Sequence, residues 1–454
     1  MKITLVKPNI GRMDHSLYVD EARMEPLQLG VLAAMVPPDD EVVLHDDRME
    51  AIPYDAPTDL VAITVETYTA RRAYEIAAEF RRRGVTVILG GMHPTLLPEE
   101  AAAHGDAIFL GDAESGWREA VEDARAGRLK PVYRAAVGPP QFDGALMPRR
   151  DLFHGKGYLP VTLMQFSRGC RHACTFCAVS AYFERCHYHR AIDTVVAEIA
   201  AQKRRTIFFV DDNLLGNRRA AKALFRELIP LKIRWMSQGT VDMTRDPELM
   251  DLMTRSGCLG MVVGFESLSA ENLRGMNKAA NLPRFDGYRE AIRVVRDQGL
   301  QLWAAFTLGH DNDTAESIAA AAAFAVENRF CFAAFNILMP YPNTPLYRRL
   351  ATEKRLLYGG RWWLHPAYRF NHAAFRPVRM TPEALTEACF RARSHFNSIG
   401  SIIRRALDPK TNLRNPLRFG IYLTYNPLVR KEVFKKQGMR FGLSEEQPWD
   451  AVND

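Results

Sequence analysis

The stretch Ser167-Arg-Gly-Cys170-Arg-His-Ala-Cys174-Thr-Phe-Cys177 places three cysteines on one short loop with the spacing C-x3-C-x2-C. The loop directly follows an apolar segment, residues 161–166, that is predicted to be a strand. Thiolates are soft ligands that suit iron–sulfur clusters, so three on one loop can hold three irons of a [4Fe–4S] cubane. The fourth iron would lack a protein ligand and could accept an external chelating molecule.

The open iron position determines which chemistry the loop can support. The amino and carboxylate groups of S-adenosylmethionine (SAM) can chelate such an iron, which places the sulfonium beside a reducing cluster. One-electron reduction would then cleave a C–S bond and give a 5′-deoxyadenosyl radical. A zinc loop is the alternative, because His172, Cys186, His187 and His189 lie close by in sequence. Zinc sites, however, normally take four ligands that come in spaced pairs.

Composition places the chain among ordinary globular proteins. Of its 454 residues 47% are apolar and 25% are charged, and its first residues, MKITLVKPNIG, lack the layout of a signal peptide. No apolar run approaches the roughly 18–20 residues that span a bilayer. The seven cysteines are an odd number, which suits a reducing compartment better than a disulfide framework. We therefore expect a cytoplasmic protein of two or three domains, with Cys186, Cys258, Cys331 and Cys389 as small core residues.

The amino-terminal part alternates short apolar strands with helical segments. Strands are predicted at 3–6, 42–44, 60–63, 85–89 and 107–110, and a helix is predicted at 70–83. Such strands suit a parallel sheet covered on both faces, where ligands lie beyond the carboxyl ends of the strands. The pattern predicts a doubly wound, Rossmann-like domain over residues 1–140 and a linker rich in Pro and Gly over 141–154.

The β/α order continues from the cysteine loop onward. Strands are predicted at 161–166, 206–210, 234–237, 260–264, 301–307 and 334–338, and helices at 193–203, 218–228, 247–256 and 284–298. The fold class is therefore α/β, with a partial (β/α)6 barrel over residues 155–375 and its chemistry at the loops that follow the strands. Residues 376–454 are predicted to form a small, helical, basic C-terminal region.

These motifs resemble those of a known family. SRGCRHACTFC at 167–177 resembles the cluster loop of the radical SAM superfamily, and residues 1–375 resemble its subgroup with an amino-terminal cobalamin-binding domain. That subgroup includes the anaerobic magnesium-protoporphyrin cyclase and the P-methylases. The resemblance implies an enzyme whose cofactors are a [4Fe–4S] cluster on Cys170, Cys174 and Cys177, SAM and cobalamin. It also implies an external one-electron reductant of the flavodoxin or ferredoxin type.

The resemblance further implies a set of SAM-binding residues. FVDDN at 209–213 resembles the segment that faces the SAM amino group, and VGFES at 263–267 resembles the strand end whose carboxylate reaches the ribose. Glu266 suits the ribose because a carboxylate accepts hydrogen bonds from two vicinal hydroxyls, whereas Asp212 and Asn213 could instead be helix caps. The predicted SAM-binding residues are Phe176, Asp212, Asn213, Gln238, Glu266, Ser267, Leu308 and Gly309.

The cobalamin prediction concerns the strand ends of the first domain. The sequence lacks the D-x-H-x-x-G signature that supplies a histidine to cobalt, so the resemblance implies a cobalt without a protein imidazole. A sheet domain that has kept its fold without the cofactor is the alternative. The predicted cobalamin-binding residues are Pro8, Asn9, Thr64, Glu66, Thr67, Tyr68, Gly90, Gly91, His93, Pro94, Gly111, Asp112 and Glu114.

With both cofactors, the leading hypothesis is cobalamin-dependent methyl transfer to an unactivated carbon of a small-molecule, lipid or peptide substrate. One SAM would methylate the corrinoid, and a second would yield the radical that abstracts a substrate hydrogen. Radical oxidative cyclisation, ring contraction or rearrangement with the same cofactors is the alternative. A non-catalytic iron–sulfur or nucleic-acid-binding protein is an alternative of another class. The cofactors carry the bond-breaking, and no catalytic acid or base is identified.

Positive charge gathers late in the chain. The formal net charge is +7 and the isoelectric point is about 9.0. The late basic residues are Arg404, Arg405, Lys410, Arg414, Arg418, Arg430, Lys431, Lys435, Lys436 and Arg440. Such residues can meet nucleic acid, anionic lipid or an acidic substrate, or can form a solvated face. We expect residues 419–441 to close the barrel rather than rest on a membrane, with Pro427 interrupting the helical pattern, and we expect no nucleic-acid partner.

Overall fold

The computed structural model describes residues 1–11, 23–136, 146–278, 280–282 and 287–443. The chain divides into two compact units. The amino-terminal unit comprises Met1–Leu159, Tyr358–Phe370 and Gly438–Asp454, and the barrel unit comprises Pro160–Leu357 and Asn371–Gln437. Two late segments therefore return to the first unit, which domain boundaries drawn along the sequence at 140, 154 and 375 do not capture. Residues 141–145 of the predicted linker and 444–454 of the predicted C-terminal region lie outside the described residues.

The described part of the amino-terminal unit alternates strands and helices. Its strands are β1 (Lys2–Lys7), β2 (Glu41–Asp46), β3 (Leu60–Thr64), β4 (Thr86–Gly90), β5 (Ala107–Leu110) and β6 (Val132–Arg134). Its helices are α1 (Leu27–Ala34), α2 (Ala70–Arg82), α3 (Met92–Leu96), α4 (Pro98–Ala102) and α5 (Trp117–Arg125). The strands pair in parallel in the order β2-β1-β3-β4-β5-β6.

Both faces of this sheet are covered. Leu60 and Ala62 of β3 belong to a core cluster that includes Leu29 of α1 and Trp117 of α5. Val61, which points to the opposite face because strand side chains alternate, is also fully buried. The structure therefore confirms the doubly wound parallel sheet. The strand order reverses between β1 and β3, the kind of position where open α/β sheets bind ligands.

Segments remote in sequence complete the packing of the amino-terminal unit. The ring of Tyr68 lies edge-on to Phe370 and Phe441, with centroids 5.6 and 5.8 Å apart. Phe153, from the predicted linker, is buried in the core beside α1. The Phe153 ring leaves room only for glycine at position 30, because a Cβ there would lie 2.8 Å from the ring.

The described part of the barrel unit contains eight strands and eleven α-helices. The strands are β7 (Thr162–Met164), β8 (Ser167–Gly169), β9 (His187–His189), β10 (Thr206–Phe209), β11 (Arg234–Gly239), β12 (Cys258–Glu266), β13 (Gln301–Leu308) and β14 (Phe332–Ile337). The helices are α6 (Ala178–Tyr182), α7 (Ile192–Ala200), α8 (Arg218–Leu228), α9 (Pro247–Arg255), α10 (Ala270–Gly275), α11 (Tyr288–Asp297), α12 (Ala315–Glu327), α13 (Pro345–Thr352), α14 (Pro382–Phe396), α15 (Ile399–Ala406) and α16 (Pro416–Lys436).

The main sheet of the barrel unit has the order expected of a (β/α)6 barrel. Its six described strands pair in parallel in the order β14-β13-β12-β11-β10-β7, so strands that follow each other in the chain are neighbours. β8 and β9, which lie between β7 and β10 in the chain, form a separate two-stranded antiparallel sheet. The predicted α/β class with a partial barrel is therefore confirmed, and the loops after the six strands meet at one edge of the sheet.

The C-terminal helices attach to the amino ends of the barrel strands through buried arginines. Arg405 of α15 is fully buried, and its guanidinium donates to the carbonyl oxygens of Phe330 and Cys331, each 3.0 Å away, just before β14. Arg418 of α16 donates to the carbonyl oxygen of Leu259 in β12 at 2.7 Å. Two of the late basic residues therefore cover the barrel end that lies opposite the cysteine loop.

The helix α16 does not break where its proline predicts. It continues through Pro427, so the expected interruption is wrong. Contacts just before the proline hold the helix in place: the Tyr422 hydroxyl donates to the carbonyl oxygen of Ile402 at 2.7 Å, and the buried Asn426 amide donates to that of Tyr422 at 3.0 Å. Neither α16 nor any other described helix combines the length and apolar content needed to cross a membrane.

The role of Arg405 can be tested by replacing it with methionine. Arg405→Met should lower the free energy of unfolding by about 3 kcal/mol, because several buried carbonyl oxygens lose their donor. Arg404→Met is the matched control, because Arg404 is the exposed neighbour and should change stability by less than about 0.5 kcal/mol. Urea unfolding of both variants checks this, and equal stability of the two would contradict it.

Candidate active site

The cysteine loop lies at the carboxyl end of β7. It connects β8 to β9, and these strands pair Gly169 with His187. Gly169 has a φ of 79°, and a Cβ there would lie 2.2 Å from the carbonyl oxygen of Cys186. Glycine is therefore required where the chain enters the loop. Cys186 itself is exposed, so its expected core position is wrong, whereas Cys258, Cys331 and Cys389 are buried as expected.

Two adjacent carboxylates after β10 hold the start of this loop. The fully buried Asp211 accepts hydrogen bonds from the backbone NH of Phe166, at 3.1 Å, and from the NH and hydroxyl of Ser167. Burial raises the pKa of Asp211 to about 7, against the opposing effect of these donors. Asp212 accepts from the backbone NH of Gly169 at 2.7 Å. Asp212, predicted to bind SAM, thus supports the cluster loop in this structure.

The three cysteines differ in their surroundings. Cys174 is buried, while Cys170 and Cys177 are half-buried. Burial raises the pKa of Cys170, and raises that of Cys174 to about 11. The amide of Asn213, the second residue after the Asp211 carboxylate, donates to the Cys170 sulfur at 3.8 Å. Asn213 was predicted to bind SAM, and the structure places it against a cluster ligand.

The donor set fits a [4Fe–4S] cluster. Three sulfurs on one loop can each bind a different iron, and an amide N–H that donates to a cysteine sulfur is a usual contact around such clusters. Cys170, Cys174 and Cys177 would hold the cluster, because all three thiols lie on this one loop.

Glu266 ends β12 in an unusual backbone conformation. Its φ is 64°, at a break in the register between β12 and β13. Its carboxylate, which is almost completely buried, accepts from the Lys278 ammonium at 2.9 Å and from the Thr307 hydroxyl at 3.4 Å. A non-glycine residue in the left-handed region costs free energy and is typical of functional sites.

Lys278 is a site residue that sequence reasoning missed. Burial lowers its pKa, but the charges of Glu266 and Cys174 outweigh that effect, so the pKa is raised and the side chain stays protonated. The charge of Cys177 also acts to raise the pKa of Lys278. A lysine in an irregular segment after a helix gives no sequence signal of this role, because only the fold brings it to Glu266.

The other predicted SAM-binding residues lie at the same edge of the sheet, where they mainly contact other groups of the protein. The Gln238 amide donates to the carbonyl oxygen of Asp211 at 2.7 Å, and the Ser267 hydroxyl accepts from the Ser269 NH at 3.1 Å. Gly309 follows Leu308 at the end of β13, with a φ of 102°. A Cβ at Gly309 would lie 2.5 Å from the side chain of Leu385 in α14.

Phe176 lies beside a histidine that the sequence did not single out. The Phe176 and His310 rings are 6.4 Å apart, and the two residues line a small cavity of about 70 Å³. Burial lowers the pKa of His310 to about 4, so the imidazole is neutral at pH 7. Its Nε2 lies 2.9 Å from the Thr307 hydroxyl, which also contacts Glu266.

The thirteen predicted cobalamin-binding residues all lie at the carboxyl edge of the first sheet, at the ends of β1, β3, β4 and β5. Seven of them are half-buried or exposed: Thr64, Glu66, Gly90, Gly91, Gly111, Asp112 and Glu114. Pro8, Asn9, Thr67, His93 and Pro94 are buried, and Tyr68 lies in the aromatic cluster with Phe370 and Phe441. The accessible subset fits a ligand at this edge.

His93 does not offer an imidazole to a ligand at this edge. It is fully buried, its Nε2 lies 2.9 Å from the Glu100 carboxylate, and its Nδ1 lies 3.3 Å from the Thr67 hydroxyl. Trp363 also donates to Glu100 at 3.0 Å. His93 is thus a structural residue in this unit.

A second missed feature is an ion pair at the reversal of strand order. The Lys7 ammonium, at the end of β1, contacts the Glu66 carboxylate after β3 at 2.6 Å. The charge of Lys7 lowers the pKa of Glu66. Asn9, two residues after Lys7, belongs to a buried network. Its backbone NH donates to the Asp47 carboxylate at 3.2 Å, and Asp47 is ion-paired with Arg72 at 2.8 Å.

Comparison with known proteins places this geometry in a family. Residues 164–325 match the family model of the radical SAM superfamily. The chain is 30% identical over 420 residues to bacteriochlorophyllide d C-12(1)-methyltransferase of Chlorobaculum tepidum, covering 89% of each chain. It is 31% identical over 356 residues to bacteriochlorophyllide d C-8(2)-methyltransferase of the same organism, covering 72% of this chain and 77% of that one.

Two further similarities concern a different reaction and the fold. The chain is 25% identical over 359 residues to the anaerobic magnesium-protoporphyrin IX monomethyl ester cyclase of Cereibacter sphaeroides, covering 72% of this chain and 56% of that one. The solved structure of the radical SAM methyltransferase TsrM from Kitasatospora setae, with cobalamin and a [4Fe–4S] cluster bound, shares the fold. It aligns with a TM-score of 0.61 and 18% identity over 87% of this chain and 81% of that one.

A parallel barrel sheet with a three-cysteine loop after its first strand defines an iron–sulfur enzyme of the radical-forming class. The chain belongs to the radical SAM superfamily. The predicted family, the enzyme assignment, and the cluster and SAM as cofactors are thereby confirmed. The zinc and non-catalytic alternatives are set aside.

The contact between Asn213 and Cys170 leads to a prediction for the reduction potential. An N–H donor to a cluster sulfur stabilises the reduced cluster, so Asn213→Ala should lower the potential by tens of millivolts while iron content stays unchanged. Asn277→Ala is the matched control, because the Asn277 amide donates to the carbonyl oxygen of Ala173 in the same loop at 3.0 Å. A redox titration followed by electron paramagnetic resonance measures both. The same potential in both variants would contradict the role of Asn213.

Proposed function

We propose that this protein is a cobalamin-dependent radical SAM methyltransferase that methylates an unactivated carbon on a tetrapyrrole. The observation that carries the proposal is the 30% identity to a bacteriochlorophyllide d methyltransferase across 89% of both chains. A second relative methylates the same class of compound at another carbon, according to its name. Similarity along almost the entire length includes the sheet domain as well as the barrel, so both units take part in the proposed function.

Within the barrel unit, we assign SAM to the edge that carries the cysteine loop. Glu266 is the proposed partner of the ribose, and the Lys278 ammonium is the proposed partner of the SAM carboxylate. A ligand that chelates the fourth iron brings its carboxylate close to the cysteines, where the charge of Lys278 already acts. The Lys278–Glu266 ion pair holds the two side chains in place before SAM binds.

Within the amino-terminal unit, we assign cobalamin to the edge formed by the ends of β1, β3, β4 and β5. Cobalamin would supply a methyl group there, and the cluster and SAM would supply the radical that activates the substrate carbon. Glycines at 90, 91 and 111 let the backbone approach a bulky ring. Lys7 and Glu66 place opposite charges at the reversal of strand order, where they can orient polar groups of the ligand. The protein contributes position and exclusion of water.

A one-electron donor of the flavodoxin or ferredoxin type is the proposed reductant. Arg171 and Arg185 are exposed and line a broad surface depression next to the cysteine loop, together with one acid, Glu184, and with Cys186, His187 and Tyr188. Exposed arginines beside the cluster suit an acidic electron carrier, which they would attract at low ionic strength.

Oxidative ring formation is a second candidate, favoured by the similarity to the magnesium-protoporphyrin cyclase. That relative is less similar and is matched over 56% of its length, so methyl transfer ranks first. The two reactions differ in where the SAM methyl group goes. Methyl transfer places it in the product, whereas oxidative cyclisation does not.

The proposed reaction predicts a labelled product. The reconstituted protein, incubated without oxygen with bacteriochlorophyllide d, a reductant and SAM carrying a deuterated methyl group, should give a product heavier by one labelled methyl. Mass spectrometry of the pigment measures this, and Cys174→Ala, which should lose the cluster, is the inactive control. An unlabelled, oxidised product would refute methyl transfer and favour ring formation. An unmodified pigment beside SAM cleavage would refute the tetrapyrrole substrate.

The role of Glu266 predicts a loss of SAM affinity. Glu266→Gln keeps the shape of the side chain but removes the charge that accepts from ribose hydroxyls, so the Kd for SAM should rise about tenfold. Glu290→Gln, an exposed change in α11, is the control and should leave the Kd unchanged. Equilibrium dialysis with the reconstituted protein measures both.

A double variant separates ribose binding from the loss of the ion pair. Glu266→Gln leaves the Lys278 ammonium buried without its partner, so Glu266→Gln combined with Lys278→Met removes both charges together. If Glu266 binds the ribose and Lys278 binds the SAM carboxylate, the double variant should bind SAM more weakly than Glu266→Gln alone. Recovery of SAM binding in the double variant would show that Glu266 acts only by pairing with Lys278.

A further inference from the structure

The outer surface of the C-terminal helices is apolar where it should face water. Ile399, Ile403 and Leu407 follow each other at intervals of four residues in and just after α15, and they are 63, 57 and 64% exposed. A four-residue spacing places them on one face of the helix. Leu413, in the segment before α16, and Leu417, in the first turn of α16, are exposed as well. We call these five residues the apolar patch.

The opposite faces of the same helices pack against the rest of the barrel unit. Ala406 and Tyr422 form a buried cluster with Cys331, and Ile402 and Phe419 pack against it. α15 is therefore apolar on its inner face, which contacts the barrel, and on its outer face, which does not. A surface helix in a globular protein usually has a polar outer face, so the exposed apolar side needs another explanation.

The patch is held rigidly. The buried Asn412 donates to the carbonyl oxygen of Arg405 at 2.8 Å, which ties the segment between α15 and α16 back to α15. Asp408 is buried. Its backbone carbonyl oxygen accepts from the NH of Leu413 at 2.8 Å, and its carboxylate accepts from the Thr411 hydroxyl at 2.7 Å. These contacts keep Leu407 and Leu413 on the outside, so the exposure is built into the fold.

The segment that carries the patch is mainly basic. Residues 399–431 contain seven basic residues and one acid, Asp408, which is buried. Arg404, Arg414 and Lys431 are exposed, and among the described residues Arg404 and Arg414 have no ion-pair partner. Lys410, also exposed, is ion-paired with Asp297 at 2.5 Å. The patch is thus a group of aliphatic side chains set among unpaired arginines.

We propose that this surface docks the protein onto an anionic phospholipid bilayer. Aliphatic side chains that enter the headgroup region, with cations beside them that attract anionic lipid, are the features of a helix that lies in a membrane interface. A second copy of the chain is a poorer occupant, because a symmetric contact would bring Arg404 and Arg414 against their own copies. Nucleic acid would use the arginines but leave the leucines in water.

The position of the patch determines which side of the barrel unit faces the bilayer. Arg405 and Arg418 fasten α15 and α16 to the amino ends of β12 and β14. The cysteine loop lies at the carboxyl end of β7, the other end of the parallel sheet. A bilayer on the patch therefore leaves the cluster edge of the barrel in the aqueous phase, and docking does not depend on the proposed methyl transfer.

Vesicle co-sedimentation of the full-length, cluster-reconstituted protein tests the proposal. Binding is expected to vesicles of phosphatidylcholine with one third phosphatidylglycerol, much less to phosphatidylcholine alone, and less at high salt. Ile403→Ser with Leu407→Ser should weaken binding about tenfold per residue. Arg404→Gln with Arg414→Gln should weaken it about fivefold per charge. Unchanged iron content and melting temperature show that these surface variants are folded.

Val378→Ser is the matched control. Val378 is also 59% exposed, but it precedes Arg379, whose guanidinium donates to Asn312 beyond the carboxyl end of β13. Its replacement should leave vesicle binding unchanged. Absence of binding to anionic vesicles would overturn the proposal. So would a dimer in sedimentation analysis that Ile403→Ser dissociates, or RNA binding that needs Arg404 but not Leu407.

Discussion

The arrangement of the active site depends on one buried carboxylate. Asp211 follows the second strand of the barrel, yet its hydrogen bonds go to Phe166 and Ser167, which follow the first strand and begin the cysteine loop. Burial of a carboxylate costs free energy unless donors surround it, so these contacts are satisfied only in one arrangement of the two strand ends. The loop that carries the cysteines is therefore positioned by its neighbouring strand, and Asp212 and Asn213 extend the same contact to Gly169 and Cys170.

The same principle operates at the other end of the barrel with the opposite charge. Arg405 and Arg418 donate to backbone carbonyl groups at the starts of strands, so the C-terminal helices are attached through hydrogen bonds as well as through apolar packing. A guanidinium has five donors in a rigid plane and can satisfy several carbonyls at once. Inward-facing arginines hold the helices, which leaves outward-facing ones such as Arg404 available for the proposed contact with lipid.

Much of the architecture could be predicted from the sequence because it depends on local patterns. Apolar runs separated by helices predicted both parallel sheets, and the helix predicted at 218–228 has those bounds in the structure. Other elements gave no such signal. The paired strands β8 and β9 have three residues each, too few for an alternating pattern, and α1 has a single polar residue, Gln28, which is too little to define a polar face. Pro427 predicted an interruption, but packing of Tyr422 and Asn426 outweighed the local preference.

By itself, the sequence predicted the cluster ligands, because three thiolates must share one short loop and their spacing is visible in the chain. It also determined that the remaining site residues would follow strands, since the carboxyl ends of parallel strands gather at one edge. Only the tertiary structure decided which side chains meet there. Asn213 contacts Cys170 across two neighbouring strand ends, Lys278 folds back onto Glu266 from the segment after α10, and His93 of α3 is buried against Glu100 of α4. Burial and pairing depend on neighbours in space, which a linear pattern does not specify.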